Sequence, residues 1–417
     1  MHGHIRGRVG TGAVALAMAL ALAACGGGSN NGSDAAAHAP TTSSAGDGAT
    51  SNGPTGTPVT IGVVGAYTGP VGEVSPSADA VRAWAAMTNA QGGINGHPIN
   101  VIVKDDQGDA TKAVAAVKEL ISQKVIAIVG PHESGLESSW QKLVDAAHIP
   151  VIGGNGTGAV WLSDPNFFPS AATAVNYLTS VTYTTVLAQK SKFAALYCAE
   201  APACAQAGQV TQGAAGKLGL QYVGGLGISA SAPNYTAQCA TLRGKGAEVA
   251  FAATNIQTTV RLIGDCARQG YKPIWVDSPQ NWDATQTKNS AWDGAWLASD
   301  SPLWVGDDPQ MQAYVAAMKK YVPDSDYQNT ASTASWTGAA LFGAAIQKSG
   351  ATGLPTSADI YKGLYALGAD FTLDGSIPPV TFTEGKPAVQ KPCAWYGQVS
   401  GGQVTLPKGT NPVCVGA

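Results

Sequence analysis

Short apolar runs and amphipathic stretches alternate along this chain, and the alternation starts twice. Val59-Thr60-Ile61-Gly62-Val63-Val64 is a β-branched run of the kind buried in parallel sheets. Residues 77–89 then carry Val81, Trp84, Ala85 and Thr88 at helical spacing. A strand over 99–104, a helix over 111–123, a strand over 125–129, a helix over 136–147 and a strand over 150–153 follow. The pattern restarts with strands over 193–197, 221–224, 249–253 and 273–276, separated by helices over 203–218, 235–244 and 258–269. Such alternation predicts an α/β fold of two doubly wound parallel sheets. Ligands of such sheets sit outside the carboxyl ends of the strands.

The first residues read differently. Arg6 and Arg8 precede an uncharged apolar run from Ala13 to Ala24, too short to be a permanent membrane span. Residues 1–24 are therefore expected to be a signal peptide. Leu22-Ala23-Ala24-Cys25 resembles a bacterial lipobox, which implies cleavage before Cys25 and lipidation of that cysteine. An ordinary signal peptide beside a chance cysteine is the alternative. Residues 25–57 are mostly Gly, Ser, Asn, Ala, Thr and Pro, a composition that buries too little surface to order itself, so a flexible tether is expected. The body would then work outside the cytoplasm, on the outer face of a membrane. The formal net charge of the chain is -3, and removing Arg6 and Arg8 leaves 22 basic against 27 acidic residues. No basic run is present to follow a phosphate backbone, which argues against a nucleic-acid partner.

With Cys25 lipidated, six cysteines remain. An even number in an exported chain points to disulfides rather than metal, since no CxxC occurs and no histidine lies close to a cysteine. Sequence alone admits many connectivities. Spacing favours neighbours: Cys198-Cys204, Cys239-Cys266 and Cys393-Cys414.

Four segments carry a family likeness: Ile61-Gly62-Val63-Val64-Gly65 with Thr68-Gly69-Pro70, Asn89-Ala90-Gln91-Gly92-Gly93-Ile94-Asn95-Gly96-His97-Pro98, Asp105-Asp106-Gln107-Gly108-Asp109, and Ile128-Val129-Gly130-Pro131. Together they resemble the type I periplasmic binding proteins of the leucine/isoleucine/valine-binding group. The likeness is strong over about 60–157 and pattern-level beyond. It implies two lobes joined by three crossovers, placed here near Asn176, Ser301 and Pro387. Lobe I would hold 58–177 and 302–387, and lobe II 178–301 and 388–417. All six cysteines fall in lobe II on this division.

The likeness also implies ligand-binding residues. His132-Glu133-Ser134-Gly135 lies between a strand and a helix, where free backbone N–H groups attract anions. Ser134 matches the family serine that binds the ligand carboxylate; a helix-capping role is the alternative. Asn155-Gly156-Thr157 matches a ligand-contacting turn, or is a plain surface turn. On lobe II, Asn255 stands where the family carries an aromatic. Pro279 or Gln280 stands where the family carries the acid that pairs with an α-ammonium. Asp277 and Glu133 are the carboxylates at hand to substitute, and the departure speaks against an α-amino acid ligand. Among ten tryptophans, Trp282 at a strand's carboxyl end is the best candidate for a cleft aromatic, followed by Tyr67; core packing is the alternative for both. Packing is the expectation for Trp336.

Nothing suggests catalysis. Of six histidines, His2, His4 and His38 precede the body, His97 lies in a turn and His148 precedes a strand, which leaves His132. Neither G-x-S-x-G nor HExxH occurs. The chain is expected to be a monomeric, cofactor-free lipoprotein that binds a small organic solute and delivers it to an ABC transporter permease. A tethered sensor presenting its closed form to a receptor is the alternative, because closure serves both.

Overall fold

The computed structural model describes residues 53–68, 75–133, 135–199, 202–282 and 284–416. The predicted signal peptide, the lipidation site Cys25 and most of the tether lie outside them. Residues 51–417 form one compact unit.

The first α/β run gives β1 (Val59–Gly65), α1 (Ser75–Ala90), β2 (Ile99–Asp105), α2 (Ala110–Ser122), β3 (Ile128–Val129), α3 (Glu137–Ala147), β4 (Val151–Ile152), α4 (Val160–Ser163) and β5 (Phe167–Phe168). Its five strands form a parallel sheet in the order β2-β1-β3-β4-β5. After α5 (Ala174–Leu187) the second run gives β6 (Lys192–Cys198), α6 (Pro202–Lys217), β7 (Gln221–Ile228), α7 (Thr236–Gly244), β8 (Val249–Ala253), α8 (Ile256–Arg268), β9 (Ile274–Asp277) and β10 (Trp296–Ser299). Then come α9 (Pro309–Tyr321), α10 (Thr330–Ser349) and α11 (Ser357–Tyr365), the hairpin β11 (Val380–Thr383) and β12 (Lys386–Gln390), and β13 (Cys393–Ser400), β14 (Gln403–Thr405) and β15 (Val413–Cys414). The second sheet runs β14-β13-β10-β9-β8-β6-β7, with β15 on β13; β13 joins antiparallel, the rest of β6–β10 parallel.

Local chemistry explains most boundaries. Asp109 caps α2 by accepting from the Thr111 and Lys112 amides. The Gly92-Gly93-Ile94-Asn95-Gly96 turn holds four residues at positive φ, which fits its glycines and asparagine. β7 continues past Gly224, beyond the strand expected from the sequence. Its glycines are room for rings: a Cβ on Gly225 would stand 2.8 Å from the Tyr222 hydroxyl and 3.1 Å from the Tyr197 ring. α8 starts two residues early because Asn255 caps it, accepting from the Thr258 amide at 2.9 Å.

Each sheet is covered on both faces. Val117, Leu120, Trp140, Val144 and Phe167 fill the α2/α3 side of the first sheet. Tyr177, Val181, Phe193, Phe251 and Tyr396 fill one side of the second. A third apolar cluster joins Val63, Val81 and Trp84 to Trp336, Phe342, Trp275 and Trp282, so it runs through both sheets. Cys239–Cys266 ties α7 to α8, and Cys393–Cys414 ties β13 to β15. Cys198 is disulfide-bonded; the Cys204 side chain, its expected partner, lies outside the described residues.

The chain crosses between the sheets three times: between β5 and β6, between β10 and α9, which packs on α1, and between β12 and β13. The crossings are bonded together. The Ala172 amide donates to Asp300 O at 2.8 Å. Gln390 accepts from the Thr173 amide at 2.9 Å and donates to Ala171 O at 2.9 Å, and Asn176 donates to Gln390 O at 3.1 Å.

Helix α10 lies against the end of β4 by a glycine–glycine contact. A Cβ on Gly338 would stand 2.9 Å from Gly153 Cα, and one on Gly153 would fall inside the Gly338 backbone. Gly153 also sits at φ +68°. Gly153→Ala is expected to cost about 3 kcal/mol, from the clash and the backbone strain together. Urea denaturation measures this, and an unchanged midpoint would show that α10 does not need the close approach.

Candidate functional site

The carboxyl ends of the first sheet carry most of the residues read from sequence. After β1 the chain turns through Tyr67 and Thr68. Their amides donate to Asp105 Oδ1 at 3.0 and 3.3 Å, the Thr68 hydroxyl donates to Oδ2, and the Gln107 amide adds a bond at 3.0 Å. Burial pushes the Asp105 carboxyl up, but these bonds outweigh it and hold the carboxyl below its usual range. Tyr67 is buried with its ring folded over Gly65. Burial, then the Glu133 and Asp106 carboxyls, push its hydroxyl well above the usual range, so it stays a neutral phenol.

His132 extends the β3 path. Its amide donates to Val64 O at 3.1 Å and its carbonyl accepts from the Ala66 amide at 3.3 Å. The ring is buried, its Nδ1 makes no hydrogen bond among the described residues, and burial lowers its pKa to about 4, so the imidazole is neutral. Next come three buried carboxyls. Glu133 Oε2 accepts from Trp140 Nε1 at 2.8 Å. Glu133 also lies against the Asp106 carboxyl, and burial followed by this carboxyl–carboxyl contact raises it well above the ordinary range. Both carboxyls are shifted toward their protonated forms. Asp106 is also held by the Gly108 amide at 2.7 Å. Glu137 accepts from Trp161 Nε1 at 3.0 Å and from the Gly135 amide. Burial raises its pKa to about 7, against those hydrogen bonds.

Ser134 lies outside the described residues. Gly135 is half-buried at φ +90°. Asn155 and Gly156 are buried and Thr157 is half-buried. The Asn155 amide donates to Pro131 O at 3.0 Å, which joins the two loops. The Asn155 side chain accepts from the Thr157 amide at 3.1 Å. Two amides expected to greet an anion, those of Gly135 and Thr157, are thus already engaged by this chain's own oxygens.

On the second sheet the predicted residues separate. Asn255 is exposed and caps α8. Trp282 is buried edge-on against Trp292, with centroids 5.3 Å apart at 76°, and its Nε1 makes no hydrogen bond among the described residues. Trp336 packs on Tyr314. Asp277 ends β9 and is buried; burial raises its pKa to about 8, with the Ser278 amide opposing. Gln280 Nε2 donates to Asp300 Oδ2 at 2.8 Å. Asp300 is a residue the sequence reading missed. It follows β10 and is 1% exposed, its Oδ1 makes no hydrogen bond among the described residues, and burial raises its pKa to about 6. The signal was present in Ser299-Asp300-Ser301, an acid at a strand's carboxyl end, but the segment reads equally as a crossing. Tyr177 lies near both aspartates and donates to Ala298 O at 3.2 Å. No cluster of His, Cys, Asp and Glu suited to a metal ion occurs among the described residues.

Residues 58–403 match a family described as "Periplasmic binding protein". The chain belongs to that family. Its members are extracytoplasmic solute-binding proteins rather than enzymes. Solved structures agree on the type I fold. A branched-chain amino acid ABC transporter protein from Thermus thermophilus with bound valine superposes at TM-score 0.72, with 18% identity over 87% of this chain and 98% of that one. A fatty acid ABC transporter substrate-binding protein from Thermomonospora curvata gives 0.70, with 20% identity over 87% and 94%. A solute-binding protein from R. palustris in complex with benzoate gives 0.66, with 16% identity over 86% and 98%. No curated protein matches the chain by sequence. Among the described residues no helix is long and apolar enough to cross a membrane.

The buried carboxyls give the protein a pH signature. Unfolded, Glu137 titrates near 4.5; folded, it titrates near 7. Between these values the native state holds a proton that the unfolded state has lost, so this group's contribution is full below 4.5 and lost as pH rises to 7. The loss is about 3 kcal/mol. Glu137→Gln is expected to flatten the fall in stability between pH 5 and pH 8 by that amount in urea denaturation. A wild-type slope in the variant would show that Glu137 ionises freely in the fold.

Proposed function

We propose that this protein is the solute-capturing lipoprotein of an ABC importer. Its lobes, 58–177 with 302–387 and 178–301 with 388–417, close on a small organic solute. The observation that carries the reading is the placement of buried and half-buried polar groups at the carboxyl ends of both sheets: Tyr67, His132, Asn155 and Thr157 on one, Asp277, Gln280 and Asp300 on the other. A solute bridging them gains both sets of contacts only in the closed state and so favours that state. Lipid at Cys25 and the 25–57 tether would keep the body at the membrane, as a monomer, within reach of the permease.

The related structures hold valine and benzoate, and one is named for fatty acid. Here Glu137 and Asn155 occupy amides of the first sheet, while Asp277 and Asp300 offer acceptors on the second. We therefore favour a solute that presents N–H or O–H donors to the second sheet, such as an amide or an amino compound, with Ser134 and Thr157 on its other end.

Deletion should abolish uptake of one solute, which a thermal-shift screen of metabolites identifies by its stabilisation of the pure protein. Asp300→Asn should weaken that solute by about tenfold or more in calorimetry, the scale of a hydrogen bond to a charged group. Unchanged uptake after deletion would overturn the transport reading, and wild-type affinity in the variant would remove Asp300 from the site.

A further inference from the structure

At the amino-terminal edge of the first sheet, at the other end of the strands from the groups above, lies a wide-mouthed surface cavity of about 920 Å³. α3 supplies Asp145 at its last turn, the segment entering β5 supplies Asp164 and Asn166, α11 supplies Tyr361 and Tyr365, and the β11–β12 turn supplies Glu384. None of these belongs to the cleft.

Two features define what this cavity can hold. The first is an aromatic wall. Tyr361 and Tyr365, one helical turn apart, stack with centroids 6.3 Å apart at 24°. Phe168 backs them at 5.9 and 6.0 Å. The second is an excess of negative charge, three lining carboxyl groups (Asp145, Asp164 and Glu384) against the single lining lysine Lys362. The Tyr361 hydroxyl donates to Asn166 Oδ1, and Asn166 Nδ2 donates to Asp145 Oδ1 at 3.1 Å. The Asn166 amide donates to Asp164 Oδ1 at 2.7 Å, and Gln141 holds the other oxygen. Neither Asp145, Asp164 nor Glu384 forms an ion pair among the described residues. His148 and Lys362 are exposed at the rim. Burial, then the Asp164 charge, push the Asp145 carboxyl up, a strain that a bound cation would relieve.

The volume lies in the range of sites for small organic molecules and far exceeds what a bare inorganic ion fills. Aromatic rings beside carboxyl groups that form no ion pair among the described residues favour a cation with an apolar body. We propose that this cavity is a second small-molecule site, separate from the cleft, that takes an organic ammonium compound. It is joined to the cleft by short connections, since two-residue strands β4 and β5 lead from the cavity segments to the 153–157 and 169–173 loops.

Calorimetry on the full chain with 2-phenylethylammonium chloride tests this, with 2-phenylethanol and phenylacetate as probes of the same ring but no charge or the opposite charge. The ammonium should bind saturably, the alcohol at least about tenfold more weakly, and phenylacetate not at this site. Asp145→Asn and Tyr365→Ala should each weaken the ammonium by about tenfold, while Asp300→Asn leaves it unchanged. Tyr365→Phe keeps the wall and should bind as wild type, which covers a failure of the alanine variant to fold. Absence of saturable binding, equal binding of all three probes, or wild-type affinity in Asp145→Asn would overturn the proposal. Loss of the ammonium in Asp300→Asn would also overturn it, by moving the ammonium to the cleft.

Discussion

The architecture depends on three pieces of chain that cross side by side between two sheets. Each crossing alone is an irregular segment with unpaired backbone groups, which buried chain tolerates poorly. Gln390 solves this for two of them by accepting from Thr173 and donating to Ala171. The Ala172 amide reaches the third at Asp300 O. The crossings therefore form one hydrogen-bonded band. Asp300 belongs to that band through its carbonyl, while its carboxyl is held by Gln280.

The sheet pattern was legible because buried parallel strands are written as short apolar, often β-branched runs, and Val59–Val64 has few alternatives. The turn at Gly92–Gly96 was legible for a related reason: positive φ at several neighbouring residues demands glycine and asparagine. The limits of β7 were not, since Gly224, Gly225 and Gly227 read as breaks until the Tyr197 and Tyr222 rings beside the last two are in place. Helix α8 could have been read correctly, because Asn255 is a good cap; a family expectation for that position drew attention to the ligand instead. The cavity beside Tyr361 left no trace in sequence, as its walls come from residues 145, 164, 361 and 384. Long-range pairing of this kind has no local pattern.

The first sheet's loops show how burial shapes recognition. Glu133, Asp106 and Glu137 are carboxyls in an apolar setting of Trp140 and Trp161. Desolvation favours their neutral forms, and hydrogen bonds from the surrounding chain hold each in place. Glu137 spans from the Gly135 amide to the neighbourhood of Gly158, and so braces the two loops that would otherwise present open N–H groups. A carboxylate solute would have to compete with that brace.

The second sheet is shaped by the same physics with a different outcome. Asp277, raised to about 8, holds its proton at neutral pH and is a donor as well as an acceptor. Asp300, raised only to about 6, is mostly ionised there and keeps one oxygen without a partner among the described residues. Two aspartates at the ends of adjacent strands thus offer different chemistry, one neutral and one charged, because Gln280 steadies one and not the other. Buried ionised oxygen is costly unless something donates to it. In the proposed closed state a donor on the solute would meet that cost at Asp300, while Asp277 would present its own proton.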